Sequence, residues 1–263
     1  MSRKAERRMD RQHRAYEDAP EHVVEFYREN HREQTRAVAL AKAEEFGALS
    51  RRRMSAWEAL VELDQLVDES DPDIQLGQLD HALQTAEAAR VAGEPEWLVL
   101  TALVHDLGKV LCLFDEPQWA VVGDTFPLGC AFSKEIIFSE FFRANPDSEE
   151  ESYQTPLGVY EPGCGLAEVT MSWGHDEYLA RVLSGRLPEE ALYVIRYHSF
   201  YSGHSADAYS RLFDDHDRLM MPWVRRFQVF DLYSKSPTAP SRAQLLDHYR
   251  ELIERWVPGV LDW

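Results

Sequence analysis

Residues 98–114 read LVLTALVHDLGKVLCLF. A run this apolar, opened by Pro95 and Glu96, predicts a largely buried helix over 95–113. His105, Asp106 and Lys109 interrupt it. Burying an imidazole and a carboxylate is costly unless both are hydrogen-bonded or bound to a metal. A hydrogen-bonded core pair would account for His105 and Asp106 taken alone. Lys109 changes that balance, because it is i+4 from His105 and i+3 from Asp106 and shares their helical face. Packing does not explain a Lys, an Asp and a His together on such a face.

Outward from this stretch, helical periodicity dominates. Helices are expected over 20–46, 55–68 (with Ser55 as N-cap), 78–92, 133–142, 165–172, 175–184, 188–200, 220–234 and 241–256. The helix over 55–68 aligns Trp57, Leu60, Val61, Asp64 and Val67. Strand patterning is confined to Trp119–Val122. Connections rich in Pro and Gly fall at 115–131, 145–165 and 201–210. The fold class read from this is all-α, one helical domain over 13–263 after a disordered basic tail at 1–12.

With 263 residues, 44% apolar and 11% aromatic, the chain can bury a full core and is not of a disordered or repetitive class. Net charge is −18, unevenly spread. Residues 1–53 hold 13 Lys/Arg against 10 Asp/Glu, and 54–263 hold 15 against 36. An acidic body argues against nucleic acid and anionic membranes as partners, and suits a neutral substrate or a cation site. Cys112, Cys130 and Cys164 show no paired spacing, which points to a reducing, cytoplasmic setting. The longest uncharged apolar run, Trp97–Val104, is short of a membrane span, and the N-terminus lacks the apolar core of a secretory signal. A monomer is expected.

His-Asp occurs three times: 105–106, 175–176 and 216–217. The third lies in the polar run DDHDR and reads as solvated surface. His81 (LDHALQTAE), His175 (after Trp173-Gly174), His198 (YVIRYHSFY) and Asp231 (WVRRFQVFDLYSK) each fall on an otherwise apolar helix. A core histidine for His81, and an ion pair between Asp231 and Lys235, both stay open. Together the four imidazoles and the carboxylates of Asp106 and Asp231 suit two metal ions. Such ligands favour iron, manganese or zinc over magnesium or calcium. Asp106 is the natural bridge, since its two oxygens can serve two cations. Six ligands for two metals leave open positions, as a catalytic site requires.

The order His81, His105-Asp106, Asp231 resembles that of the HD-domain superfamily. LVDESDPD, QTAEAAR, LVHDLGKV, EPQWAVVGDTFPLGC, MSWGHDEYL, IRYHSFY and FDLYSK all resemble the myo-inositol oxygenase family, from about Arg14 to Trp263. The resemblance implies a mixed-valent Fe(II)/Fe(III) enzyme that cleaves the C1–C6 bond of myo-inositol with O2, giving D-glucuronate and water. It implies one iron on His81, His105, Asp106 and Asp231, and a second on Asp106, His175 and His198. The substrate contacts it implies are Arg14, Asp68, Glu69, Ser70, Lys109, Gly123, Asp124, His198, Ser199 and Lys235. Segments 142–156 and 201–218 depart most from the family pattern.

The residues themselves agree with a polyol. An uncharged ring dense in hydroxyls needs many fixed donors and acceptors, which Asp68, Ser70, Asp124, Lys109 and Lys235 offer. Lys109 is expected to stabilise a substrate alkoxide, with Asp106 as the other catalytic residue. The direction of the Lys109 pKa shift stays open, because a nearby dication lowers it and Asp106 raises it. The competing enzyme reading is an HD-domain phosphohydrolase, which shares His81, His105, Asp106 and Asp231 but needs more cationic residues for phosphate. A same-scaffold diiron oxygenase of another substrate, and a non-catalytic metal-binding protein, compete more weakly.

Overall fold

The computed structural model describes residue 16 and residues 19–70, 77–231 and 242–263. The tail at 1–12 and two expected substrate contacts, Arg14 and Lys235, lie outside the described residues. Ten α-helices follow in order among those described: α1 Glu21–Glu33, α2 Arg36–Gly47, α3 Ala56–Leu63, α4 Gln78–Val91, α5 Glu96–Val104, α6 His175–Val182, α7 Glu189–Tyr197, α8 Tyr201–His204, α9 Asp215–Asp231 and α10 Arg242–Trp256. Two short strands, β1 Arg53–Met54 and β2 Leu261–Asp262, pair antiparallel with Met54 opposite Leu261. The all-α expectation is borne out. One apolar cluster runs from Tyr16 to Trp263 and includes residues of nearly every helix.

The helix expected over 20–46 is two helices. Gln34 is buried between them and donates to the Trp173 carbonyl (2.7 Å) while accepting from the Trp173 backbone N–H (3.1 Å). Thr35 caps α2 by accepting from Val38 N–H. A buried glutamine holding a distant loop outweighs helical periodicity here.

Ser55 is the N-cap expected of it and forms a reciprocal capping box with Glu58. That helix stops at Leu63 rather than 68; Val61 within it faces solvent, and Val67 beyond its end is exposed. The stretches 133–142 and 165–172 are not α-helices but 3-10 turns at Ser139–Ala144 and Leu166–Glu168. Phe142 there stacks between Phe132 (3.9 Å) and His31 (4.1 Å). Trp119–Val122 is not a strand. It is a 3-10 turn leading into an irregular strap, whose Val121 carbonyl accepts from the backbone N–H of His175.

α9 begins before the expected residue 220 and carries Pro222 inside it. Its start is fixed by Asp214 and Asp217, each accepting the other's backbone N–H. Asp217 is 2% exposed and also accepts from Tyr193 O–H and Leu166 N–H. The DDHDR run is therefore not wholly solvated surface: His216 is exposed, and Asp217 is a buried structural acceptor.

One helical stretch, Glu96–Phe114, is long and apolar enough to cross a membrane by length and composition, a finding the shorter run Trp97–Val104 did not suggest. Its central window is 72% buried inside the fold. It is the core helix that carries His105, Asp106 and Lys109.

Candidate metal centre

Five elements converge on Asp106. α4 delivers His81, the end of α5 delivers His105 and Asp106, α6 begins with His175, α7 is capped by His198, and α9 carries Asp231, its last described residue. Beyond Val104 the core helix tightens into a 3-10 stretch, Leu107–Phe114. At about 3.0 residues per turn, i and i+3 eclipse each other. Lys109 is thereby stacked over Asp106, with Nζ 3.0 Å from Oδ2. Gly108 makes room for this: a Cβ there would lie 2.1 Å from the carbonyl oxygen of His175. The glycine between the two charged residues is what lets α6 approach.

The two oxygens of Asp106 divide the histidines between them. Oδ2 lies 3.4 Å from His105 Nε2 and 3.8 Å from His81 Nε2. Oδ1 lies 3.3 Å from His175 Nε2 and 3.7 Å from His198 Nε2. Asp231 Oδ1 completes the first group, 3.1 Å from His81 Nε2 and 3.3 Å from His105 Nε2. Metal–ligand bonds of about 2.1 Å at right angles put neighbouring donors about 3 Å apart. His81, His105 and Asp106 form one set of converging donors, and Asp106, His175 and His198 a second.

The ring tautomers fit a metal. Nδ1 of His105, His175 and His198 faces the carbonyls of Ala102 (3.0 Å), Val121 (2.7 Å) and Ile195 (2.8 Å). A carbonyl only accepts, so each Nδ1 carries a proton, and each Nε2 is left to face inward, where it can hold either a proton or a metal ion. The Nε2 atoms of His175 and His198 are 3.2 Å apart. Two ring nitrogens that close, each also facing carboxylate oxygens, call for positive charge among them, as a proton or a metal ion.

Electrostatics points the same way. Burial opposes ionisation of Asp106, but His105 and Lys109 beside it, with hydrogen bonds from His175 and His198, hold it well below the usual carboxylate range. Asp231 is likewise held low against burial by hydrogen bonds and charge from His105 and His81. Burial would lower His175, yet the Asp176 and Asp106 carboxylates raise it to about 10. The centre is short of positive charge, and bound cations would supply it.

Lys109 sits among carboxylates, apart from any charge that a bound cation would add. Burial pulls its pKa down, but the charges of Asp106 and Asp68 outweigh that and raise it above the ordinary lysine value. Its ammonium donates to Asp68 Oδ2 (2.8 Å), Asp106 Oδ2 (3.0 Å) and Gln78 Oε1 (3.2 Å).

The myo-inositol oxygenase family model matches residues 20–263. The chain is similar to inositol oxygenase from Homo sapiens, 46% identical over 257 residues, covering 95% of this chain and 90% of that protein. It is 45% identical to inositol oxygenase from Danio rerio over 94% of this chain and 90% of that protein. It is 46% identical to inositol oxygenase 1 from Arabidopsis thaliana over 92% of this chain and 80% of that protein. The chain belongs to the myo-inositol oxygenase family.

All six ligand positions that the myo-inositol oxygenase resemblance implies meet in this one centre, and several expected substrate contacts surround it. Asp68 is buried against Lys109, and Ser70 donates to it through both N–H (2.9 Å) and Oγ–H (2.6 Å). Glu69 does not join them: its side chain is exposed, and its backbone N–H binds Gln118. Gly123 turns at φ +92°, where a Cβ would press on Phe26 at 3.0 Å. Asp124 accepts from Tyr27 O–H (3.3 Å). Thr125 N–H binds the Ser199 carbonyl (2.9 Å), which ties this strap to the end of α7.

Two further residues belong to the site that sequence patterning does not single out. Gln78, at i−3 from His81 on α4, is the third acceptor of Lys109. Asp176 lies with Oδ1 2.9 Å from His175 Nε2 and accepts from Ser199. Each leaves a faint signal: one shares a face with His81, and the other is an acid directly after His175 at a buried helix start.

Proposed function

We propose that this protein is an inositol oxygenase that converts myo-inositol and O2 to D-glucuronate and water. The observation that carries this reading is Asp106, one oxygen facing His81 and His105, the other facing His175 and His198, with the Lys109 ammonium on the same carboxylate. Two irons are the group this donor set would hold, one by His81, His105, Asp106 and Asp231, the other by Asp106, His175 and His198. When bound, an Fe(II)/Fe(III) pair supplies electrons to O2 and Lewis acidity to a substrate hydroxyl.

The chain's own residues do the rest. Asp68, Ser70, Asp124 and Ser199 present fixed hydrogen-bonding groups to a ring dense in hydroxyls. Lys109, already charged and anchored by two carboxylates, holds the negative charge that grows on the substrate oxygen as its proton leaves. An ammonium fixed beforehand needs no reorganisation at that moment, so it favours the reacting state over bound substrate. Few cations line the described site, which favours a neutral polyol over a phosphate ester.

The test is direct. Anaerobically reduced, iron-loaded protein receives myo-inositol and O2, and glucuronate is quantified with oxygen uptake. Glucuronate formed in proportion to oxygen consumed is expected. Phosphate release from esters without oxygen uptake would replace the reading with a phosphohydrolase.

A further inference from the structure

Asp176 is 1% exposed and belongs to neither proposed ligand group. Both of its oxygens are engaged by one residue across the centre. Oδ2 accepts the backbone N–H of Ser199 at 3.1 Å, and Oδ1 accepts the Ser199 Oγ–H at 3.0 Å. The same Oδ1 is 2.9 Å from His175 Nε2 and 3.7 Å from His198 Nε2. The carboxylate thus spans the start of α6 and the end of α7, the two elements that carry the second histidine pair.

A serine hydroxyl has one proton and two lone pairs, whereas a carboxylate has only lone pairs. With its proton committed to Asp176, Ser199 Oγ shows the rest of the site lone pairs alone. We infer that Asp176 is a positioning residue that fixes Ser199 as a hydrogen-bond acceptor, so that the ring position facing Ser199 must carry a donor. This rests on the reading that the polyol lies against Ser199. It deepens that reading into a rule of specificity: a hydroxyl is accepted there, and an ether, ketone or fluorine is not, because none of these brings a proton.

Replacing Asp176 by Asn inverts the arrangement. The amide oxygen keeps the Ser199 N–H, and the amide nitrogen then donates to Oγ, which frees the hydroxyl proton to point at the substrate. The experiment measures binding of myo-inositol and of each monofluoro-deoxy inositol by calorimetry without O2. It uses iron-quantified holoenzyme of wild type, Asp176→Asn, Ser199→Ala and the double variant.

Asp176→Asn should keep its iron and bind myo-inositol about tenfold more weakly, the scale of one hydrogen bond. The double variant should bind no more weakly than Ser199→Ala, since Asp176 acts through Ser199. In wild type one fluorinated position should be penalised above the others, and that excess should shrink in both single variants. Additive losses in the double variant, or iron lost from Asp176→Asn, would overturn the positioning role. Unchanged binding in Ser199→Ala would remove both the contact and the inference. If Asp176→Asn does not fold, the fluorinated series on wild type and Ser199→Ala still decides: no excess penalty in wild type refutes the acceptor role. Failure of wild type to bind myo-inositol at all would instead refute the substrate reading.

Discussion

Replacing Lys109 by Met keeps roughly the side-chain volume and removes the charge, and it should cause two lesions that can be separated. Lys109 is 7% exposed, with its ammonium 2.8 Å from Asp68 and 3.0 Å from Asp106. Removing one partner of a buried ion pair costs about 3–5 kcal/mol, because the remaining charge stays buried and uncompensated. At about 2–4 °C per kcal/mol for a chain near this size, the melting temperature should fall by roughly 6–20 °C. Iron bound beside Asp106 should recover part of that loss, and Asp68→Asn added to Lys109→Met should recover more. Turnover is a different matter. Losing one preorganised donor lowers kcat by about 10²-fold or more, and neither iron nor Asp68→Asn restores the ammonium. Lys109→Arg should not rescue turnover fully, because a planar fork does not replace a compact ammonium. The assay is oxygen uptake and glucuronate yield on variants of known iron content, beside thermal melts with and without iron. Near-normal turnover in Lys109→Met would reduce Lys109 to a structural counter-charge. An unchanged melting temperature would show that the ion pair is not a buried, unscreened contact.

Iron analysis should show His81→Ala and Asp231→Ala depleting one ion, His175→Ala the other, and Asp106→Ala both; full occupancy in all four would refute the ligand assignment. Calorimetry should show an inositol monophosphate binding at least about tenfold more weakly than myo-inositol, and the reverse order would favour the phosphohydrolase. Acid should destabilise the fold through His31. Burial outweighs its hydrogen bond to the Ile137 carbonyl and pushes its pKa from 6.5 down to about 4. The unfolded chain takes up the proton first, so stability present above pH 6.5 is lost as pH falls towards about 4, by roughly 3 kcal/mol. Urea melts across that range check this, and His31→Gln should flatten the slope.

The proposed ligands are legible because each is a polar residue that interrupts an apolar helix, and that signal survives without knowledge of the fold. Lys109 was legible from the same run as His105. What stayed hidden depends on contacts between distant segments. The break at Gln34 is set by Trp173, far along the chain, and the early start of α9 by the mutual caps of Asp214 and Asp217. The apparent strand at Trp119–Val122 is apolar because it straps over His175 and offers it a backbone carbonyl, an atom that no side-chain pattern reports. In the sequence Asp176 is only half of a repeated dipeptide. Its burial and its partner Ser199 appear only once α6 and α7 lie side by side.

The division of ligands across Asp106 also has a direction in time. A chain emerging from the ribosome presents Asp106, His175 and His198 before it presents Asp231, which lies 33 residues beyond His198. At synthesis rates of about 5–20 residues per second, those residues take roughly 2–7 s to add. During that interval the His175/His198 half has all its proposed ligands, while the His81/His105 half lacks its own carboxylate. On the proposed assignment Asp231 is the last ligand to be made, so the His81/His105 half is the later of the two to have its full set of donors.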